Sequence, residues 1–217
     1  MTRLQWNQPG ERGFSTGINK GVLYPKGSGA VVWEGLIAIK EQRSAGKPTA
    51  FYQDGVKFLN EPPPRNFRAA IEAFGCPPEF TGLTGLTTDG RGLFFDNQPA
   101  TPFGLSYQTR LGNDVDGVDK GYLVHFIFNA TASAASKQYQ TLSDAPEPMK
   151  YSWELETFPG AYPYSHVAFP QPVSGDHWSY HARFYEMEGY AYGATGPGAR
   201  LPKNYEIQRL LEAKAAA

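Results

Sequence analysis

Residues 149–157 read Met149-Lys150-Tyr151-Ser152-Trp153-Glu154-Leu155-Glu156-Thr157, and large and polar side chains alternate along the whole stretch. In an extended chain successive side chains point to opposite faces, so Met149, Tyr151, Trp153, Leu155 and Thr157 share one face. Lys150, Ser152, Glu154 and Glu156 share the other. A period of 3.6 would mix these two sets around a helix. The stretch therefore predicts a strand whose sheet packs on one side and meets water on the other.

The same reading extends upstream. Gly121 to Ala130 (GYLVHFIFNA) is apolar on both faces, as a central strand is. Phe103 to Arg110 sets Phe103, Leu105, Tyr107 and Thr109 against Gly104, Ser106, Gln108 and Arg110. Asn66 to Phe74 alternates Phe67, Ala69, Ile71 and Ala73 with Arg68 and Glu72, a half-buried strand. Ala50 to Leu59 carries Asp54-Gly55 between two aromatic runs, which predicts a hairpin. Ala30 to Lys40 is apolar and β-branched, with Gly35 as a bulge. Aromatic residues make up 14% of the chain, beside 24 Gly and 18 Pro, a balance that favours strands and turns. The fold class expected is mainly β (α+β).

Helical patterns are fewer: Ser133 to Tyr139, Trp178 to Tyr190, and Asn204 to Ala215 with Asn204 as a cap. Residues 1–30 are polar and Gly-rich with Trp6, Phe14 and Tyr24 as anchors, and read as an arm ordered by lying on something else. Gly75 to Pro102 is a long loop with Leu93-Phe94-Phe95 as a short strand or exposed contact. The expected plan is thus an arm at 1–30, a β-core at 31–158 containing the loop 75–102, and a C-terminal extension at 159–217 with one or two helices.

With 20 basic and 21 acidic side chains the chain has a formal net charge of -1. A duplex-DNA binder needs a basic face for counterion release, and no Lys/Arg cluster is present. The one cysteine, Cys76, excludes an intrachain disulfide and fits a reducing compartment. Met1 to Gly21 lacks an apolar signal region, and no apolar run approaches the ~20 residues of a membrane span. Synthesis in the cytoplasm and no membrane partner are the expectations.

Chemical motifs fail one by one. Asp114, Asp116 and Asp119 suggest calcium, but the sixth and twelfth positions of an EF-hand loop would hold Asp119 and His125 in place of Gly and Glu. A solvated Asp/Gly turn accounts for them better. His177 and His181 have helical zinc spacing without the Glu of HExxH, and His125 and His166 lie on predicted strands without a carboxylate-rich segment. Gly27-Ser28-Gly29 and Gly196-Pro197-Gly198 complete neither a dinucleotide nor a phosphate loop. There is no GxSxG, and Cys76 is followed by Pro77 and Pro78. No catalytic, metal or cofactor-binding residue and no cofactor is expected, and the chain is not expected to be an enzyme.

Several collinear blocks resemble the major tail (tail-tube) proteins of siphophages, particularly those of actinobacteriophages. The most specific runs Phe103-Gly104-Leu105-Ser106-Tyr107, Thr109-Arg110 and Gly112-Asn113-Asp114-Val115, through Asp116-Gly117, Asp119 and Gly121-Tyr122 to Asn129-Ala130. Then follow Tyr139, Thr141, Ser143-Asp144-Ala145-Pro146-Glu147-Pro148 and Tyr151-Ser152-Trp153. Upstream lie Gly21-Val22-Leu23-Tyr24-Pro25, Val32-Trp33-Glu34-Gly35-Leu36, Asp54-Gly55-Val56-Lys57-Phe58-Leu59, Ala70-Ile71-Glu72-Ala73-Phe74 and Pro78-Glu79-Phe80. Arg200-Leu201-Pro202 fits at the far end, whereas residues 168–190 depart from the pattern.

The resemblance implies a tail-tube β-sandwich or barrel with a flanking helix. Homo-hexameric rings would stack into a hollow virion tube that delivers DNA, assembled in the host cytoplasm. A tape measure protein would fill the lumen, tail terminator and distal tail proteins would sit at the ends, and DNA would pass transiently without specific binding. Lys150, Ser152, Glu154 and Glu156 are candidates for a wet lumen face. The alternatives are a tail terminator or head-tail joining ring, and, from another class, an enzyme or carbohydrate-binding β-domain using residues such as Trp178.

Overall fold

The computed structural model describes residues 8–45, 47–61, 65–96, 98–133, 136–137, 148–157, 164–170, 188–193, 198–203, 205–206 and 209. In chain order these form β1 (Phe14–Pro25), β2 (Val31–Trp33), β3 (Leu36–Ala45), β4 (Thr49–Gln53), β5 (Val56–Glu61), β6 (Arg65–Ala73), α1 (Pro78–Leu83), β7 (Leu86–Thr88), β8 (Phe94–Asp96), β9 (Phe103–Asn113), β10 (Gly117–Ala132), β11 (Ser136–Lys137), β12 (Tyr151–Thr157) and β13 (Tyr164–Pro170).

One antiparallel sheet dominates, in the order β2-β1-β9-β10-β12-β6-β3. The 16-residue β10 is long enough to fork: Gly121–Ile127 pairs with β13, and Ala130–Ala132 pairs with β12. Short β11 pairs with β12 at Tyr151 and Ser152, on the same edge that β10 occupies at Leu155–Thr157. The expected strand at 149–157 is β12 from Tyr151 onward, with Trp153, Leu155 and Thr157 buried and Glu154 and Glu156 exposed. In β6, Phe67, Ala69, Ile71 and Ala73 are buried, as their alternation requires.

The inner face of this curled sheet surrounds one core. Leu23 of β1, Trp33 of β2, Ile71 of β6, Leu105 of β9, Ile127 of β10 and Leu155 of β12 meet there. The outer face of β10 is apolar too. Val124 and Phe126 pack beneath Ala191, which lies in a helical turn at 188–192. That double burial explains the continuous apolar run at 121–130.

Several expectations are corrected. The second half of the supposed arm is β1, a full sheet strand paired with β2 and β9. Its first half is exposed and polar, which hid it, and it is bent by left-handed residues Gly17 (φ 66) and Lys20 (φ 48) where the register slips. The loop 75–102 contains α1 and the β7–β8 pair. Phe80 of α1 is fully buried, 4.4 Å from Trp33 and 5.3 Å from both Phe103 and Trp153 by ring centroid. Pro78 at its first turn suits a fixed helical φ. The helix expected at 133–139 is replaced at residues 136–137 by β11, because β12 offers an unpaired backbone edge there. Of the helix expected at 178–190, residues 178–187 lie outside the described residues, as do Asn204 and the residues after Arg209.

Candidate assembly surfaces

Asp54 (φ 50) and Gly55 (φ 75) both take left-handed conformations, the two-residue turn that matches the twist of a hairpin. The β4–β5 hairpin they close forms a separate two-stranded sheet. Its apolar side chains stay in water: Phe51 is 47% exposed, Tyr52 68%, Val56 69%, Phe58 75% and Leu59 54%. A second apolar group, Leu93, Phe94 and Phe95, is exposed at β8 and the turn before it.

Strand directions fix where the first hairpin leaves the body. Each neighbour in the path β1-β9-β10-β12-β6-β3 is antiparallel to the last, so β3 runs opposite to β1. The hairpin therefore departs at the end where β1 begins, away from the β1–β2 turn at Pro25.

The wet face of β12, β6 and β3 carries charges in near balance. Lys40 pairs with Glu72 at 3.0 Å, and Arg68 pairs with Glu156 at 2.8 Å. Both pairs are largely exposed and contribute little to stability. Glu154 lies exposed on the same face. Lys150, expected to share it, is exposed just before the strand.

A polar cluster lies on the inner face of the curled sheet, with Tyr107 and His125 buried and Glu41 exposed at its open side. The Tyr107 phenol donates to a Glu41 carboxylate oxygen, and that oxygen lies 3.5 Å from His125 Nδ1. The Tyr107 ring stacks on the imidazole, with centroids 4.6 Å apart and planes at 3°. Thr109 Oγ1 is 2.8 Å from His125 Nε2. Hydroxyl, imidazole and carboxylate in line echo a nucleophile–base arrangement, but the imidazole's second bond is long and its carboxylate is shared with Tyr107. The sequence signal was the burial pattern of β10, which placed a histidine inside a packed strand. Its partner Glu41 is 84 residues away along the chain and left no local trace.

The outer face of β10 holds the C-terminal segment through tyrosines. Tyr24 donates to the Ala191 carbonyl at 2.8 Å and bonds Ser106 Oγ at 2.9 Å. Tyr122 donates to Glu188 at 2.8 Å, and Lys20 Nζ lies 5.2 Å over the Tyr192 ring. Burial pushes the hydroxyls of Tyr24 and Tyr192 well above the ordinary tyrosine range, so both stay neutral. Arg200 pairs with Glu206 at 2.6 Å and stacks over Tyr190, and its hydrogen bond holds the Glu206 carboxyl below the usual range.

The aspartates considered for calcium are occupied otherwise. Asp116 accepts from Asn113 Nδ2 at 2.8 Å, and Asp114 accepts from the Gly10 backbone N–H at 2.9 Å. They close the β9–β10 turn and tie residue 10 to it. The side chain of Asp119 and residues His177 and His181 lie outside the described parts. His125 and His166 are backbone register partners across β10 and β13. Among the described residues no group of three or more potential ligands gathers, and Cys76 is exposed with its sulfur 3.8 Å from Thr81 Oγ1. Gly27-Ser28-Gly29 forms the β1–β2 turn, while Gly196 and Pro197 are not described.

No family model and no curated protein matches the chain. Among solved structures, a sheath-tube complex of the extracellular contractile injection system PVC in its extended state aligns over 76% of this chain and 95% of that chain, at 11% identity and a TM-score of 0.36. The baseplate of the anti-feeding prophage aligns over 78% and 100%, at 7% identity and a TM-score of 0.36. Likenesses this distant carry no argument about what the chain does.

Proposed function

We propose that this chain is the repeating subunit of a phage-type tail tube, a structural protein that works by assembling with copies of itself. The observation that carries the reading is the β4–β5 hairpin, an apolar element exposed on both faces at one end of a directional body. Each large apolar side chain left in water forgoes about 1.5–3 kcal/mol of burial. A second copy placed head to tail would recover much of it, and head-to-tail contacts repeat as rings or filaments. The collinear motifs of the siphophage, actinobacteriophage-like major tail proteins support the same reading, with six copies per ring and a DNA-conducting lumen. The balanced charges on the face of β12, β6 and β3 suit a lining along which DNA slides, since phosphate contacts from a basic wall would retain it. In this reading a tape measure protein occupies the lumen during assembly, and terminator and distal tail proteins close the ends of a tube carried in the virion. No catalytic step is assigned to the chain.

The test is assembly of the purified protein, followed by sedimentation velocity and negative-stain microscopy, alone and with tail-initiation components. Rings or tubes are expected. The double variant Val56→Ser/Phe58→Ser should keep its circular dichroism spectrum and lose assembly by an order of magnitude or more. Wild-type protein that stays monomeric at every concentration and with those components would sink the proposal. Closed single rings that never stack would point instead to a terminator or head-tail joining ring.

A further inference from the structure

The interior polar cluster has a property that assembly leaves unused. We infer that Glu41, Tyr107, His125 and Thr109 form an acid-strengthened clasp that holds the edge strand β3 across the inside of the curled sheet. It is a property of the subunit and holds whatever the subunit builds.

Strand β3 ends the sheet and is bonded through its backbone to β6. Glu41 gives it a second attachment, reaching Tyr107 on β9 and His125 on β10. With a neutral imidazole, one ring nitrogen carries a proton and the other accepts. Protonation makes both nitrogens donors. Nε2–H then serves Thr109 at 2.8 Å, and Nδ1–H faces the Glu41 carboxylate at 3.5 Å as a charge-assisted contact. The stacked Tyr107 ring also presents a π face to the cation.

Burial opposes the charge, since His125 is 8% exposed, but an opposite charge within ~4–6 Å favours it. Glu41 of β3 and Tyr107 and Thr109 of β9 bear on the His125 ring. Along β13 the backbone register partner of residue 125 is His166. β6 and β12 present the apolar Phe67, Ala69 and Leu155 to the interior. A contact that favours the protonated imidazole stabilises the fold below the ordinary imidazole range, near ~6.5, and fades as pH rises through the folded-state value. The clasp is therefore tighter in acid.

Thermal unfolding of the wild type and of Glu41→Gln, His125→Gln and His166→Gln, each at about pH 5.5 and about pH 8, tests this. Relative to Glu41→Gln, the wild type should gain about 3 °C in Tm on moving to the acid condition. His166→Gln should keep that gain. The same pH response in wild type and Glu41→Gln, or its disappearance in His166→Gln, would overturn the clasp. Should His125→Gln fail to fold, the NMR titration of the His125 ring gives a second readout. Its midpoint should fall in Glu41→Gln, and an unchanged midpoint counts against the proposal.

Discussion

Asn113 shows how much one side chain can organise. It is 4% exposed, and its Oδ1 accepts from the backbone N–H groups of Val115 and Asp116. Its Nδ2 donates to Asp116 and to the Gly10 carbonyl at 3.3 Å. Two roles therefore meet in one amide, shaping the β9–β10 turn and pinning the chain entering β1. Asn113→Ala strands several of those partners, and a loss of about 1–3 kcal/mol is expected in urea unfolding. A loss within error would show that water replaces the amide freely. At this scale the sequence was readable where the signal was local. The Asp/Gly turn and the buried alternations of β6 and β12 were visible in the order of residues. The contacts of Tyr24 with Ala191 and of Glu41 with His125 were not, because each joins residues far apart whose neighbours carry no matching pattern.

Among the elements, α1 and the β4–β5 hairpin mark the two extremes. The hairpin was legible because Asp54-Gly55 specifies its turn by backbone conformation alone. The six-residue α1 was hidden, since Pro78, Thr81 and Gly82 are poor helix formers and the segment is too short to show a period. What holds it is tertiary: Phe80 fills the space between Trp33, Phe103 and Trp153. Phe80→Ala is expected to cost about 3–5 kcal/mol, read as a lower midpoint in calorimetry or urea. A small loss would mean that the core closes over the gap. The helix expected at 133–139 failed for the converse reason. A weak local preference gave way at 136–137 to the backbone bonds that β12 supplies.

For the molecule as a whole, the class of fold was legible and its path was not. Period-two patterns announce strands, yet they say nothing of which strands are neighbours, so the forked β10 and the entry of β1 between β2 and β9 emerged only in three dimensions. That entry sharpens a truncation experiment. Deleting residues 2–12 leaves β1 whole and should give a folded protein with near-native circular dichroism. Deleting 2–20 removes half of β1, exposes the edge of β9 and should lower Tm by more than 5 °C, on the scale of about 2–4 °C per kcal/mol. Equal stability of the two deletions would show that the first half of β1 is dispensable. One further consequence follows from the hairpin that departs where β1 begins. In the proposed tube, a column of such subunits all pointing the same way would have two dissimilar termini, one displaying free apolar hairpins and the other the surfaces that receive them. Growth and arrest are then separable events. A factor shaped for one terminus has no purchase on the other, and elongation acquires a direction from the subunit itself.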